Sequence, residues 1–167
     1  MFVMGIDPGL SRCGYGAVRQ VHGRPEVVCA GVLSTPPDDE LPLRLGSLMH
    51  QLRDLFSRAQ PEVVVVERVL FQVNARTAMS VGQASGLALA CASQLGIPVV
   101  QYSPNEVKQS VTGWGNAGKE QVQRMVQTLL SLPGKPSPPD MADALALALC
   151  HLAFAPLAAA AASARRS

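Results

Sequence analysis

Apolar residues arrive along this chain in two distinct rhythms. Phe2 to Ile6 is an unbroken apolar run closed by Asp7, and Pro8-Gly9 follows as a turn. That reads as a strand over Phe2 to Asp7. Gly14 to Val21 and Glu26 to Ser34 read as two more strands, and their short connections predict an antiparallel start. Leu45, Leu48, Met49, Leu52, Leu55 and Phe56 then repeat at helical spacing, predicting a helix over Leu41 to Ala59. Val63 to Val66 is a β-branched run closed by Glu67, the pattern of a buried central strand.

Thr77 to Leu95 reads as a second helix and Ile97 to Tyr102 as a fifth strand. Ser103 and Glu106 have capping-box spacing and open a short helix. The segment 113–118 is a glycine-rich break. Lys119 to Leu132 is a further amphipathic helix, and Pro133 to Pro139 a rigid loop. A last helix starts at or just after Ser137 and ends near Pro156.

Three strands, helix, strand, helix, strand and three helices predict an α/β sandwich. Its core is a mixed five-stranded sheet, with the first three strands antiparallel and helices on both faces. Residues 1–155 form one domain and 156–167 an alanine-rich tail. On the second helix, Ala78, Gly82, Gly86 and Ala90 recur every four residues. That stripe serves either internal packing or a dimer seam, and the spacing does not choose.

The 167 residues suffice for one substantial core, and 48% hydrophobic content excludes a disordered chain. A net charge of +2 does not announce a nucleic-acid partner. The cysteines, Cys13, Cys29, Cys91 and Cys150, have neither metal-ligand nor redox spacing and read as reduced thiols in a cytoplasmic protein. The start of the chain lacks the pattern of a secretory signal. Ala144 to Ala162 approaches the length of a membrane span, but His151, Pro156 and its alanine content favour a buried helix.

The chemistry lies in four acids placed against apolar segments. Asp7 and Glu67 close strands, and active sites in such sheets gather at strand ends. Asp140 and Asp143 are three apart, on one face of the last helix near its N-terminus. Each acid has an ordinary explanation. Asp7 suits an Asp-Pro-Gly turn, Glu67 could pair with Arg68 or Arg76, and Asp140 suits a helix cap. Asp143 has no evident partner. Together, four converging carboxylates would make an oxygen-rich cage for Mg²⁺ or Mn²⁺. Two such ions can clamp the attacking and leaving oxygens of a phosphoryl displacement. Only three lysines occur, and Lys108 and Lys119 are placed to meet a phosphate. Either could equally be a solvated surface charge.

The ordered set of motifs resembles the RuvC family of Holliday-junction resolvases, within the ribonuclease-H-like superfamily, over roughly residues 2–155. Its carriers are Gly5-Ile6-Asp7-Pro8-Gly9 with Gly14-Tyr15-Gly16, Val66-Glu67, and Asn74 through Gly82-Gln83-Ala84. Val107-Lys108-Gln109, Gly118-Lys119 with Gln121-Val122, and 140–146 complete it. The resemblance implies a metal-dependent endonuclease that cuts four-way DNA junctions as a homodimer. It implies two Mg²⁺ per subunit, with Mn²⁺ an alternative, held by Asp7, Glu67, Asp140 and Asp143. Attack by water then leaves 5′-phosphate and 3′-hydroxyl ends.

Lys119 joins the catalytic set, and Lys108, Lys119 and Arg76 face DNA. The resemblance further implies work alongside the RuvA–RuvB branch-migration motor and shifts the small-residue stripe toward the dimer seam. The family often places an aromatic residue three positions after the strand-end glutamate. Here that position is Leu70, with Phe71 next; either Phe71 takes over or Leu70 is the wedge. Two other classes compete. An actin-like ATPase or sugar kinase shares the opening motif but usually repeats the domain. A non-catalytic nucleic-acid binder of the same fold has no reason to keep all four acids.

Overall fold

Side-chain alternation organises the sheet. The computed structural model describes residues 1–69 and 75–164, with the side chains of 75–77 and 156–164 left undescribed. The elements are β1 (Phe2–Asp7), β2 (Arg12–Val21), β3 (Arg24–Ser34), α1 (Leu41–Ala59), β4 (Val63–Glu67) and α2 (Ala75–Gln94). They continue with β5 (Val99–Tyr102), α3 (Pro104–Thr112), α4 (Lys119–Leu129) and α5 (Pro139–Ala164). The sheet runs β3-β2-β1-β4-β5. β1 is antiparallel to β2 and parallel to β4, and β4 is parallel to β5. This is the expected mixed sheet, with its antiparallel meander at one edge.

Successive residues of a strand face opposite sides. Val64 and Val66 join Phe2, Met4 and Ile6 in one buried cluster with Leu48, Leu52 and Phe56 of α1 and Ala84, Ala88 and Ala92 of α2. Val63, Val65, Val3 and Val18 point the other way, into a cluster with α3, α4 and Leu145 to Leu152 of α5. Continuing that period, Asp7 and Glu67 leave the sheet on the α5 side.

The seat for α5 is made of glycines. A Cβ on Gly5 would collide with the Ala144 carbonyl oxygen, and one on Gly14 with that of Asp140. A Cβ on Gly16 would lie 2.7 Å from Leu145 Cγ. Only bare backbone lets the first turns of α5 lie this close to β1 and β2.

Element boundaries moved where local chemistry decides them. β5 begins at Val99 rather than Ile97, after Pro98, which has no N–H to donate. Ser103 caps α3: its hydroxyl accepts from the Glu106 N–H, and the Glu106 carboxylate accepts from the Ser103 N–H at 2.7 Å, the full capping box. Ser103→Ala is expected to cost about 1 kcal/mol of stability, read as a lower denaturation midpoint in urea with an unchanged slope.

One expectation is corrected. α5 does not end near Pro156 but continues to Ala164. Proline sacrifices one intrahelical hydrogen bond, and the alanines after it have the highest helix propensity of any residue. The small-residue stripe of α2, which the spacing leaves between internal packing and a dimer seam, does not face the core formed by the described residues. Among the described residues, a Cβ on Gly82 or Gly86 would meet nothing within 4 Å, whereas the buried face of the helix includes Ala84, Ala88 and Ala92. No helix among the described residues is long and apolar enough to cross a membrane.

Candidate active site

Parallel pairing of β1 with β4 sets Ile6 opposite Val66, so Asp7 and Glu67 emerge side by side at their carboxyl ends. Across the other edge of β1, Asp7 pairs with Gly14. The glycine at that position admits the start of α5, and with it Asp140 and Asp143. The fold thus brings together four acids from three separate elements. Glu67 and Asp143 line a cleft of about 240 Å³ with Lys108 and Val107 of α3, Lys119 and Val122 of α4, Pro104 and Ala146.

The electrostatics of this cleft are dominated by crowded negative charge. Burial, then the neighbouring carboxylates of Asp143, Glu67 and Asp140, push the Asp7 carboxyl up to about 7; Lys119 opposes them. Burial and Asp143 also raise Glu67, with Lys108 and Lys119 opposing. Lys119 Nζ donates to Asp143 Oδ2 at 2.7 Å. That hydrogen bond, more than any other influence, raises the pKa of the ammonium. Arg12 does for Asp140 what Lys119 does for Asp143: its Nε lies 2.9 Å and its Nη2 2.8 Å from Oδ2.

Four oxygen-donor side chains and no sulfur or imidazole suit a hard divalent cation. Among the described residues, no three acids already stand around a common point at ligating distance. Asp140 and Asp143 are turned instead toward Arg12 and Lys119. Lys119 and Lys108 both border the cleft and act electrostatically on Glu67. Arg68 does not pair with Glu67; it reaches the Gln101 carbonyl and lies 4.0 Å from Glu106. Leu70 and Phe71 fall outside the described residues. Arg76 lies in the first turn of α2, its side chain undescribed.

Sequence reasoning missed Arg12. Its only signal is its place, at the start of β2 just after the Asp7-Pro8-Gly9 turn, within reach of whatever Asp7 gathers. It also missed that Gly5, Gly14 and Gly16 form one trough; the antiparallel register, which pairs Gly5 with Gly16 and Asp7 with Gly14, could have found it.

Comparison with known proteins follows the same lines. Residues 3–151 match the family model described as crossover junction endodeoxyribonuclease RuvC. The RuvC of Moorella thermoacetica is 47% identical over 156 residues, covering 93% of each chain. That of Salinispora arenicola is 52% identical over 153 residues, covering 91% of this chain and 87% of its own. The structure of Thermus thermophilus RuvC in complex with Holliday junction substrate superposes with a TM-score of 0.88 at 36% identity. It covers 95% of this chain and 96% of that one. With this fold, and with matches that span most of the chain and of its relatives, the protein belongs to the RuvC family of crossover junction endodeoxyribonucleases.

Proposed function

We infer that the protein is an endonuclease that resolves four-way DNA junctions by paired, symmetric nicks in recombination and repair, working in the cytoplasm. The observation that carries this reading is the clustering of Asp7 with Glu67, Asp140 and Asp143, beside a cleft lined by Glu67, Asp143, Lys108 and Lys119. Neither a nucleotide-binding ATPase nor a passive binder needs that set.

In this reading Asp7, Glu67, Asp140 and Asp143 hold two Mg²⁺ ions per subunit, or Mn²⁺ in their place. When bound, the ions supply an activated water and a stabilised leaving oxygen. The rest falls to the protein. The sheet and α5 hold the four carboxylates partly buried and close together, so much of their orientation is set before substrate arrives. Lys119 and Lys108 offer ammonium groups to the phosphate next to the scissile bond. Lys119 gives up its hydrogen bond to Asp143 as it does so. Water attack leaves 5′-phosphate and 3′-hydroxyl ends, which a ligase can rejoin.

Two symmetric nicks need two copies of the site. The open face of α2 at Gly82 and Gly86 supports a homodimer, because small residues let a second helix approach closely. Leu70 and Phe71, a few residues after β4 in sequence, and Arg76 at the start of α2 are assigned to the junction branch point. A RuvA–RuvB branch-migration complex is the partner that would deliver the junction.

The test is a synthetic four-way junction labelled in turn on each strand. With Mg²⁺, paired nicks at equivalent positions in opposed strands are expected, with ends that ligate; with EDTA there should be none. Binding should weaken steeply as salt rises, because phosphate contacts release counterions. A junction left intact at every enzyme concentration, or linear duplex cut as readily, would overturn the reading.

A further inference from the structure

Trp114 is the single tryptophan of the chain, and it is 56% exposed. Tryptophan, with a large apolar ring and one N–H donor, is a side chain enriched at interfaces. The other exposed large apolar residues among those described lie outside this loop: Met1, Val28, Leu41, Leu43, Met49, Met79, Leu95 and Leu129. Trp114 stands apart from them in the loop between α3 and α4, the two helices that carry Lys108 and Lys119 into the cleft.

The loop holds Trp114 out on a fixed backbone. Its N–H donates to the Thr112 hydroxyl at 3.1 Å, and its carbonyl accepts from the Ala117 N–H at 3.1 Å; the one proton of that hydroxyl lies between the Lys108 carbonyl at 2.8 Å and the Trp114 carbonyl at 3.0 Å. Gln109 Nε2 donates to the Gly113 carbonyl at 2.8 Å. Gly113, at φ +78°, closes α3 in the left-handed conformation that glycine tolerates best. Ala117, 1% exposed, anchors the far side of the loop in the core. The ring therefore meets solvent without the entropy cost of ordering its backbone on binding.

The distance to the cleft is short. The Ala117-to-Trp114 hydrogen bond closes a turn whose ends lie within about 7 Å, and Lys119 follows two residues later. Trp114 Cα thus lies within about 14 Å of Lys119 Cα, roughly the span of two or three nucleotides along a strand.

We propose that Trp114 is a stacking platform for a nucleobase exposed beside the scissile phosphate of a branched DNA substrate. Duplex bases present their faces to each other, so an aromatic platform finds a partner only where pairing or stacking is interrupted. Every base has a π-face, so the platform favours branched over linear DNA without reading sequence. Lys108 and Lys119, on the helices that flank the loop, border the cleft in which this proposal puts the phosphate backbone. The inference rests on the endonuclease reading above and adds to it a contact that selects structure rather than performing chemistry.

Having no other tryptophan makes the test direct. Intrinsic tryptophan emission is followed while a synthetic four-way junction is titrated into the wild-type protein in EDTA, with saturation tracked by gel shift. Saturable quenching by the junction is expected, and much less by linear duplex of equal length. Trp114→Ala is expected to weaken junction binding about tenfold and Trp114→Phe less than threefold, the range of base–aromatic stacking, with duplex affinity unchanged in both. Unchanged emission at saturating junction, or a Trp114→Ala affinity within twofold of wild type, would overturn the proposal. Nicking by the wild type with Mg²⁺ is measured in parallel. Normal nicking with silent tryptophan defeats only the stacking role, whereas no nicking of any junction defeats the endonuclease reading itself.

Discussion

Asp7→Asn is expected to abolish nicking and, at the same time, to stabilise the metal-free protein. The first half follows from the position of Asp7 between Glu67 and the start of α5. Removing one preorganised charge of this kind costs about three orders of magnitude in rate, and junction binding through Lys108 and Lys119 is expected to survive. The second half follows from the crowding of negative charge.

The Asp7 carboxyl titrates at about 7 in the fold against 3.8 in an unfolded chain. Between those values the folded state holds the proton more tightly, so stability falls as pH rises, and above about pH 7 the whole penalty is present. Allowing for partial solvent screening, it is on the order of 2 kcal/mol. Asparagine carries no such penalty. In EDTA the variant should match wild type near pH 4 and melt about 5 °C higher at pH 8, as read by thermal unfolding across that range. Adding Mg²⁺ should raise the midpoint of wild type and leave the variant nearly unmoved. Equal midpoints at pH 8 in EDTA would show that Asp7 is not under electrostatic strain.

Much of this site was legible in the sequence because its acids interrupt clean patterns. Asp7 and Glu67 end apolar runs too continuous to be anything but buried strands, and a strand end is where a sheet presents chemistry. The capping box at Ser103 was equally plain, because it depends on residues three apart. What escaped was long-range pairing. Arg12 and Asp140 are 128 positions apart, and no local pattern joins them. Lys119 was singled out for its rarity, yet its hydrogen bond to Asp143, 24 positions away, needs α4 and α5 packed together.

The face of α2 shows the same limit from the other side. A repeat of small residues says that something approaches, not what. Among the described residues, no core side chain packs against Gly82 or Gly86. The end of α5 was misjudged because a proline was weighed as a stop and the alanine run after it was not weighed as a continuation.

Gly14→Ala separates placing the acids from having them. Gly14 carries no positive φ, so alanine is unstrained there as backbone. Its Cβ, however, would collide with the Asp140 carbonyl oxygen and lie 3.1 Å from Asp140 Cβ. β2 is hydrogen-bonded on both sides, to β1 and β3, and cannot retreat. The first turn of α5 must give way, carrying Asp140 and Asp143 away from Asp7 while every carboxylate remains present. A displacement of about 1 Å is worth about 100-fold in rate when several groups must act on one phosphate. Overpacking of this kind costs about 1–3 kcal/mol, within what a domain of this size tolerates. The variant is therefore expected to fold, to bind junction DNA with wild-type affinity and to nick it about 100-fold more slowly. Gly46→Ala is the control: it sits exposed within α1 with nothing within 4 Å of the added methyl. It should leave nicking unchanged and stabilise the helix by about 0.5–1 kcal/mol. Wild-type nicking by Gly14→Ala would mean that the glycine trough is a packing convenience and that the acids find their places without it.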